Sequence, residues 1–236
     1  MKVIILAGGY GTRLGNITEE IPKPMVNIGD MPILWHIMKI YADHGYKDFI
    51  IALGYKKEVI ENYFKDKDFG WNVTLVDTGL DTLKGGRLKR IEKYLDDDEM
   101  HLLTYGDGVS NVDIDELIKY HKSHGKILTI TGVHPPARFG EIIEENGKLI
   151  HFREKPQTSA GIISGGFFVF NKELMDHLTE DEKCDLEYGV FEKLLQKGEI
   201  MVYKHMNDWE CVDTERDLKH LNKLWAEGKA FWKNTK

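Results

Sequence analysis

Cysteine is scarce: only Cys184 and Cys211 occur in 236 residues. That excludes a disulfide framework, and with no secretory pattern ahead of them free thiols in a reducing cytoplasm are expected. Long apolar runs are missing as well. None approaches the roughly 20 residues that a membrane-spanning helix needs. The first apolar run is interrupted at Gly8-Gly9, too soon for the core of a signal peptide. A membrane partner is therefore not expected. Nor is there an excess of positive charge. The 32 Lys and Arg face 39 Asp and Glu, a net charge of −7, which argues against nucleic acid as the main partner. The ten histidines are scattered with no His-Glu-x-x-His, and Cys-x-x-Cys is absent, so zinc is not expected. No repeat, low-complexity tract or flexible linker divides the chain, so residues 1–236 read as one domain with one sizeable core.

What is present starts with the run Val3-Ile4-Ile5-Leu6, a buried strand by composition. It runs into Ala7-Gly8-Gly9-Tyr10-Gly11-Thr12-Arg13-Leu14. Glycines there let backbone N–H groups close around an anion. Arg13 adds a planar fork of donors suited to phosphate oxygens. Pro22-Lys23-Pro24 fixes a second cation shortly after. Together they point to a polyphosphate site; taken singly, they are a tight turn and two surface cations. The pattern lacks the Gly-Lys-[Ser/Thr] of a P-loop and the Gly-x-Gly-x-x-Gly of a dinucleotide fold.

Downstream, strands and helices alternate. Strands are predicted at 48–53, 72–77, 100–105, 127–133, 149–153 and 200–203. Helices are predicted at 33–41, with Pro32 in the first turn, and at 57–64, 112–121 and 217–224. This order predicts an α/β fold, a Rossmann-like three-layer sandwich with a mostly parallel mixed sheet. Ligands in such folds bind at the carboxyl ends of strands. Two segments fall there. Thr78–Arg90 carries Thr82, Gly85-Gly86 and Arg87, with the glycines giving close backbone approach and Arg87 offering donors to a base. Gly106-Asp107-Gly108 puts a carboxylate where a hard cation could sit, although a turn aspartate would look the same. Asp213, just before the last helix, reads equally as an N-cap or as a ligand.

These segments resemble the sugar-phosphate nucleotidylyltransferases, whose signature is similar to Gly-Gly-x-Gly-Thr-Arg-Leu followed by Pro-Lys-Pro. Thr-Gly…Gly-Gly-Arg-Leu-Lys-Arg, Thr-Tyr-Gly-Asp-Gly, Glu154-Lys155-Pro156 and Gly165-Gly166-Phe167-Phe168 narrow the likeness to members that join CTP and glucose 1-phosphate. The resemblance implies a nucleotide-diphospho-sugar transferase fold, with a nucleotide-binding part over about 1–125 and a sugar-phosphate-binding part over about 126–236. It implies CTP contacts from Leu6, Ala7, Gly8, Gly9, Gly11, Thr12, Arg13, Lys23, Thr82, Gly86, Arg87 and Gly106, with Arg87 against cytosine. It assigns the sugar phosphate to Gly140, Glu154, Lys155, Ser164 and Gly166. It makes Arg13, Lys23, Asp107 and Asp213 catalytic, with Asp107 and Asp213 holding Mg²⁺. Three features differ from the pattern: Ser164 where the family usually has Asn, Gly189 where related enzymes carry an acid, and a short 65–71 turn where an insertion is usual. Another phosphorylated acceptor, UTP or dTTP as donor, or a non-catalytic nucleotide-binding subunit are the other readings. A homo-oligomer in the cytoplasm is expected.

Overall fold

The computed structural model describes residues 1–95, 97–135, 141–153 and 161–233. Strand β1 (Val3–Leu6) has no polar side chain and all four residues are buried, the signature of a strand covered on both faces. Its side chains alternate, Val3 and Ile5 joining one core and Ile4 and Leu6 the other.

A short helix α1 (Ile17–Glu20) and the ribbon β2 (Asn27–Ile28) and β3 (Met31–Pro32) lead into α2 (Ile33–Asp43). Then follow β4 (Asp48–Leu53), α3 (Lys57–Phe64), β5 (Asn72–Asp77), α4 (Lys84–Arg90), β6 (Met100–Tyr105), β7 (Gly108–Ser110) and α5 (Ile114–His124). The remainder is β8 (Leu128–Val133), β9 (Glu141–Glu145), β10 (Lys148–Arg153), β11 (Ile163–Asn171), α6 (Glu192–Gln196), β12 (Ile200–His205), β13 (Trp209–Cys211) and α7 (Glu215–Ala226).

Seven strands form the central sheet in the order β12-β8-β11-β6-β1-β4-β5. Only β11 runs against its neighbours β6 and β8; the other pairings are parallel. This is the mostly parallel mixed sheet the strand–helix alternation predicts. Residues before 125 supply β5, β4, β1 and β6, and those after it supply β11, β8 and β12. Helices α2, α3, α5 and α7 pack on the face that carries Val3 and Ile5; α4, α6 and the turns at 172–177 and 186–191 pack on the face that carries Ile4 and Leu6. Two apolar cores on either side of one sheet make three layers. From β1 the chain winds outward through β4 and β5 and returns to the other side at β6. The carboxyl ends of β1 and β6 therefore frame a topological switch point, where open α/β sheets leave a crevice.

The strands at 48–53, 72–77 and 100–105 and the helix at 57–64 match the sequence reading residue for residue. Pro32 lies one residue ahead of α2 rather than in its first turn, a boundary shift of one residue. In the short 65–71 turn, Phe69 packs between the rings of Tyr63 and Trp71. The tail aromatics pack inside the chain: the Trp232 indole N–H donates to His36 Nδ1 at 3.3 Å, and Trp225 stands edge-on to the same ring. That leaves the proton of His36 on Nε2, which donates to the Ile28 carbonyl at 2.9 Å. Among the described residues, no helix is long and apolar enough to cross a membrane.

Phe168 is fully buried at the sheet centre, in register with Leu103 of β6 and Ile130 of β8. Phe168→Ala is expected to cost about 3–5 kcal/mol in urea unfolding, and a loss below about 1 kcal/mol would show that the sheet centre does not anchor stability.

Candidate functional site

At the carboxyl ends of β1 and β6 lies a cleft of about 590 Å³. One wall is the loop after β1. Leu6, Ala7, Gly8, Gly9, Gly11 and Arg13 all line it, while Thr12 does not. Gly11 adopts φ 66°, a conformation that favours glycine, and a Cβ there would come within 2.9 Å of the Lys23 Cβ. Loop and lysine are thus packed directly on each other. Gly9 is open to solvent on its side-chain side, whereas a Cβ on Gly8 would lie 2.2 Å from Arg87 Nη1. Gly8 is a glycine because a buried guanidinium occupies the space of its side chain.

Arg87 comes from α4, borders the cleft, and is itself buried. Its Nη1 donates toward the Leu53 carbonyl, Thr78 Oγ1 and the Gly79 carbonyl at 2.7–2.9 Å, and its Nη2 to the Gly8 and Leu80 carbonyls at 3.0 and 2.9 Å. From sequence, these donors are expected to face a base. In the folded chain they hold together the glycine loop, the end of β4 and the 78–80 loop, because a buried guanidinium must satisfy its N–H groups on nearby carbonyls. Arg90 works beside it, donating to the Thr78 carbonyl and to Oγ1 of Thr82, which borders the cleft. Gly86 does not line the cleft. A Cβ there would sit 2.5 Å from the Asp181 carbonyl, so the close approach that Gly85-Gly86 permits is made by the 181–184 segment.

The floor of the cleft holds the strongest electrostatic feature. Lys23 Nζ lies 2.6 Å from Asp107 Oδ2 and 2.7 Å from Asp213 Oδ1, and Arg13 Nη1 lies 2.6 Å from Asp213 Oδ2. Asp107 and Asp213 thus face one ammonium together. Burial acts to lower the Lys23 pKa, but Asp107 and Asp213 outweigh it and hold the ammonium above its ordinary value.

Three local devices bring these groups together. Lys23 opens a short 3₁₀ turn after Pro22, whose extended ψ of 149° aims the chain back beneath the glycine loop. Gly106, whose Cβ would meet Pro24 at 2.9 Å, allows β6 to pass close to that turn. β7 pairs antiparallel with β13, Gly108 opposite Cys211, and Val212 N–H donates to the Asp107 carbonyl at 2.9 Å. Asp213 is not the cap of α7. Thr214 is, in a capping box with Asp217, and Asp217 Oδ2 also accepts from the Asp213 N–H at 3.1 Å. With the cap assigned to Thr214, the Asp213 carboxylate is left to the cleft.

On the side of β11, Ser164 lines the cleft, and Gly166 takes φ 77° where a Cβ would meet the Tyr105 ring at 2.8 Å. Tyr105 donates to Glu187 at 2.6 Å, and Lys84 pairs with the same carboxylate while lying over the Tyr105 ring. Gly140, Glu154 and Lys155 lie outside the described residues. Lys84, Tyr105, Asp185, Trp209 and Cys211 line the cleft without having been assigned a role from sequence. Tyr105 sits inside Thr-Tyr-Gly-Asp-Gly, and Trp209 and Cys211 lie on β13, just ahead of Asp213. Lys84 and Asp185 reach the cleft only through the packing of α4 on the 181–187 segment. The one His-carboxylate group able to share a metal among the described residues, His44 with Asp113 and Asp115, is elsewhere; Asp113 caps α5, and Asp115 accepts from Tyr46.

Burial, joined by the charges of Asp107 and Asp213, pushes the Cys211 thiol up to about 12. Its thiolate fraction stays small until the pH approaches that value. Alkylation of Cys211 by iodoacetamide, followed by peptide mass spectrometry, is expected to stay slow from pH 7 to 9; reaction at the rate of an ordinary free thiol at pH 8 would contradict the buried environment.

A family model described as nucleotidyl transferase matches residues 2–231. The chain is 47% identical to glucose-1-phosphate cytidylyltransferase of Salmonella typhi and to that of Salmonella typhimurium, each alignment covering 99% of both chains. Those alignments span 255 positions against 236 residues here, so the relatives carry residues that this chain lacks. Among solved structures, HddC from Yersinia pseudotuberculosis complexed with GMP-PN is similar, with TM-score 0.72 and 25% identity over 95% of this chain and 99% of that one. A match over nearly the whole length, on a sheet whose switch point carries the glycine loop, the lysine and both carboxylates, settles the lineage: the chain belongs to the nucleotidyl transferase family, among its sugar-phosphate members.

Proposed function

We propose that this protein transfers a cytidylyl group from CTP to glucose 1-phosphate, giving CDP-glucose and pyrophosphate. The observation that carries this reading is the Lys23 ammonium held between Asp107 and Asp213 beneath the glycine loop, in a chain 47% identical to glucose-1-phosphate cytidylyltransferases. A phosphate oxygen of the acceptor attacks the α-phosphorus of CTP, the bond from that phosphorus to the bridging oxygen breaks, and its electron pair leaves on pyrophosphate. No protein nucleophile is needed; two polyanions must be brought together and their charge offset. The N–H groups of the glycine loop and Arg13 would hold the β- and γ-phosphates. Lys23 is within the same cleft and would bridge the α-phosphate and the attacking phosphate. Ser164 and Gly166, with Gly140, Glu154 and Lys155, are proposed for the sugar phosphate.

Mg²⁺ fits the donor set, since two adjacent carboxylates are hard oxygen ligands. Asp107 and Asp213 would hold it, and when bound it supplies positive charge at the phosphate oxygens. Two free thiols fit a cytoplasmic setting. A homo-oligomer is part of the reading, supported by Ile142, Leu149, Ile150 and Phe152, all exposed on the β9–β10 hairpin.

Pyrophosphate release measured for CTP, UTP and dTTP against a panel of sugar phosphates tests the substrates. CTP with glucose 1-phosphate should be fastest, and an equal rate with UTP or dTTP would overturn the donor assignment. Lys23→Ala should lower kcat by at least about a hundredfold while calorimetry still registers CTP binding. Turnover at the wild-type rate would remove Lys23 from the chemistry.

A further inference from the structure

The charges in the floor of the cleft already balance one another. Lys23 and Arg13 stand against Asp107 and Asp213, and both oxygens of Asp213 are engaged, Oδ1 by Lys23 and Oδ2 by Arg13. Lys23 also engages Oδ2 of Asp107. The Lys23 side chain is 10% exposed, whereas that of Arg13 is 69% exposed, so Lys23 is the tighter partner of the two. A divalent cation arriving alone would meet a neutral cluster with an ammonium between the two carboxylates it needs. It would have to approach two positive groups and displace one of them.

We infer that Lys23 is the resting counter-ion of the Asp107–Asp213 pair, standing in the place of the divalent cation until nucleotide draws it away. A triphosphate offers Lys23 and Arg13 new anionic partners. As they turn to it, the two carboxylates lose their counter-ions beside a polyanion, and affinity for the cation rises. Cation and nucleotide binding are therefore coupled, each raising the affinity for the other, with Lys23 as the coupling element. This rests on the assignment of Asp107 and Asp213 as cation ligands in the proposed function. It adds that the ligand-free protein resists the cation.

Mn²⁺ is the probe, with free ion counted by electron paramagnetic resonance on the nucleotide-free protein. Lys23→Met keeps most of the length of the unbranched side chain and removes its charge. This variant is expected to bind Mn²⁺ at least about tenfold more tightly than wild type, a difference of about 1.4 kcal/mol. Arg13→Met, at an exposed position, should shift affinity the same way by less, and it carries the test if thermal melting shows that Lys23→Met does not fold. Unchanged or weaker Mn²⁺ affinity in the folded variants would overturn the inference. Asp107→Asn separates the two levels. If it leaves Mn²⁺ binding intact in the Lys23→Met background, the ion sits elsewhere and the metal assignment itself falls. If it abolishes the binding gained there, counter-ion and ligand roles both hold.

Discussion

One buried ammonium facing two carboxylates is the interaction on which the rest of the cleft depends. Its members come from three remote parts of the chain: Lys23 is 84 residues from Asp107 and 190 from Asp213. Moving such groups out of water is costly, and only mutual pairing makes the cost tolerable. The fold arranges that pairing through backbone devices: the 3₁₀ turn after Pro22, the pairing of β7 with β13, and the Thr214 cap that leaves the Asp213 carboxylate free. A site held this way has its charged groups gathered before ligand arrives, which suits a reaction whose catalysis is positioning and charge neutralisation.

A second network supports the first. Arg87 and Arg90 lie one turn apart on α4, and both donate to backbone oxygens of the 78–80 stretch. Arg87 also reaches the Gly8 carbonyl, so the glycine loop and the opposite wall share one contact. Five acceptors around one guanidinium hold the cleft walls at a fixed separation. The glycines follow from this packing. Gly8 makes room for Arg87, Gly166 for Tyr105 and Gly86 for the 181–184 segment. Of these, Gly86 falls where close backbone approach to a ligand is expected from sequence, and the 181–184 segment fills that space.

Local pattern reached far into this fold. The apolar run of β1, the helix at 57–64 and the alternation of strands with helices are written in short windows, and each appears where the residues indicate. The positions of Arg13, Lys23 and Asp107 at the carboxyl edge follow from the same alternation, because a loop after a parallel strand has only one end of the sheet to occupy. Asp213 was ambiguous, since an aspartate before a helix serves equally as a cap; Thr214, one residue on, takes that role through Asp217.

The sequence by itself therefore determined the main strands and helices of the alternation, the mostly parallel sheet and the glycine loop with its cations, since these depend on residue type at short spacing. Only the tertiary structure decided which groups meet: Lys84 with Glu187 and Tyr105, Arg87 with Gly8, and Lys23 with both aspartates. Those contacts join segments tens to nearly two hundred residues apart. No local periodicity encodes them, because they are selected by the packing of whole elements and by the need of each buried charge to find a partner.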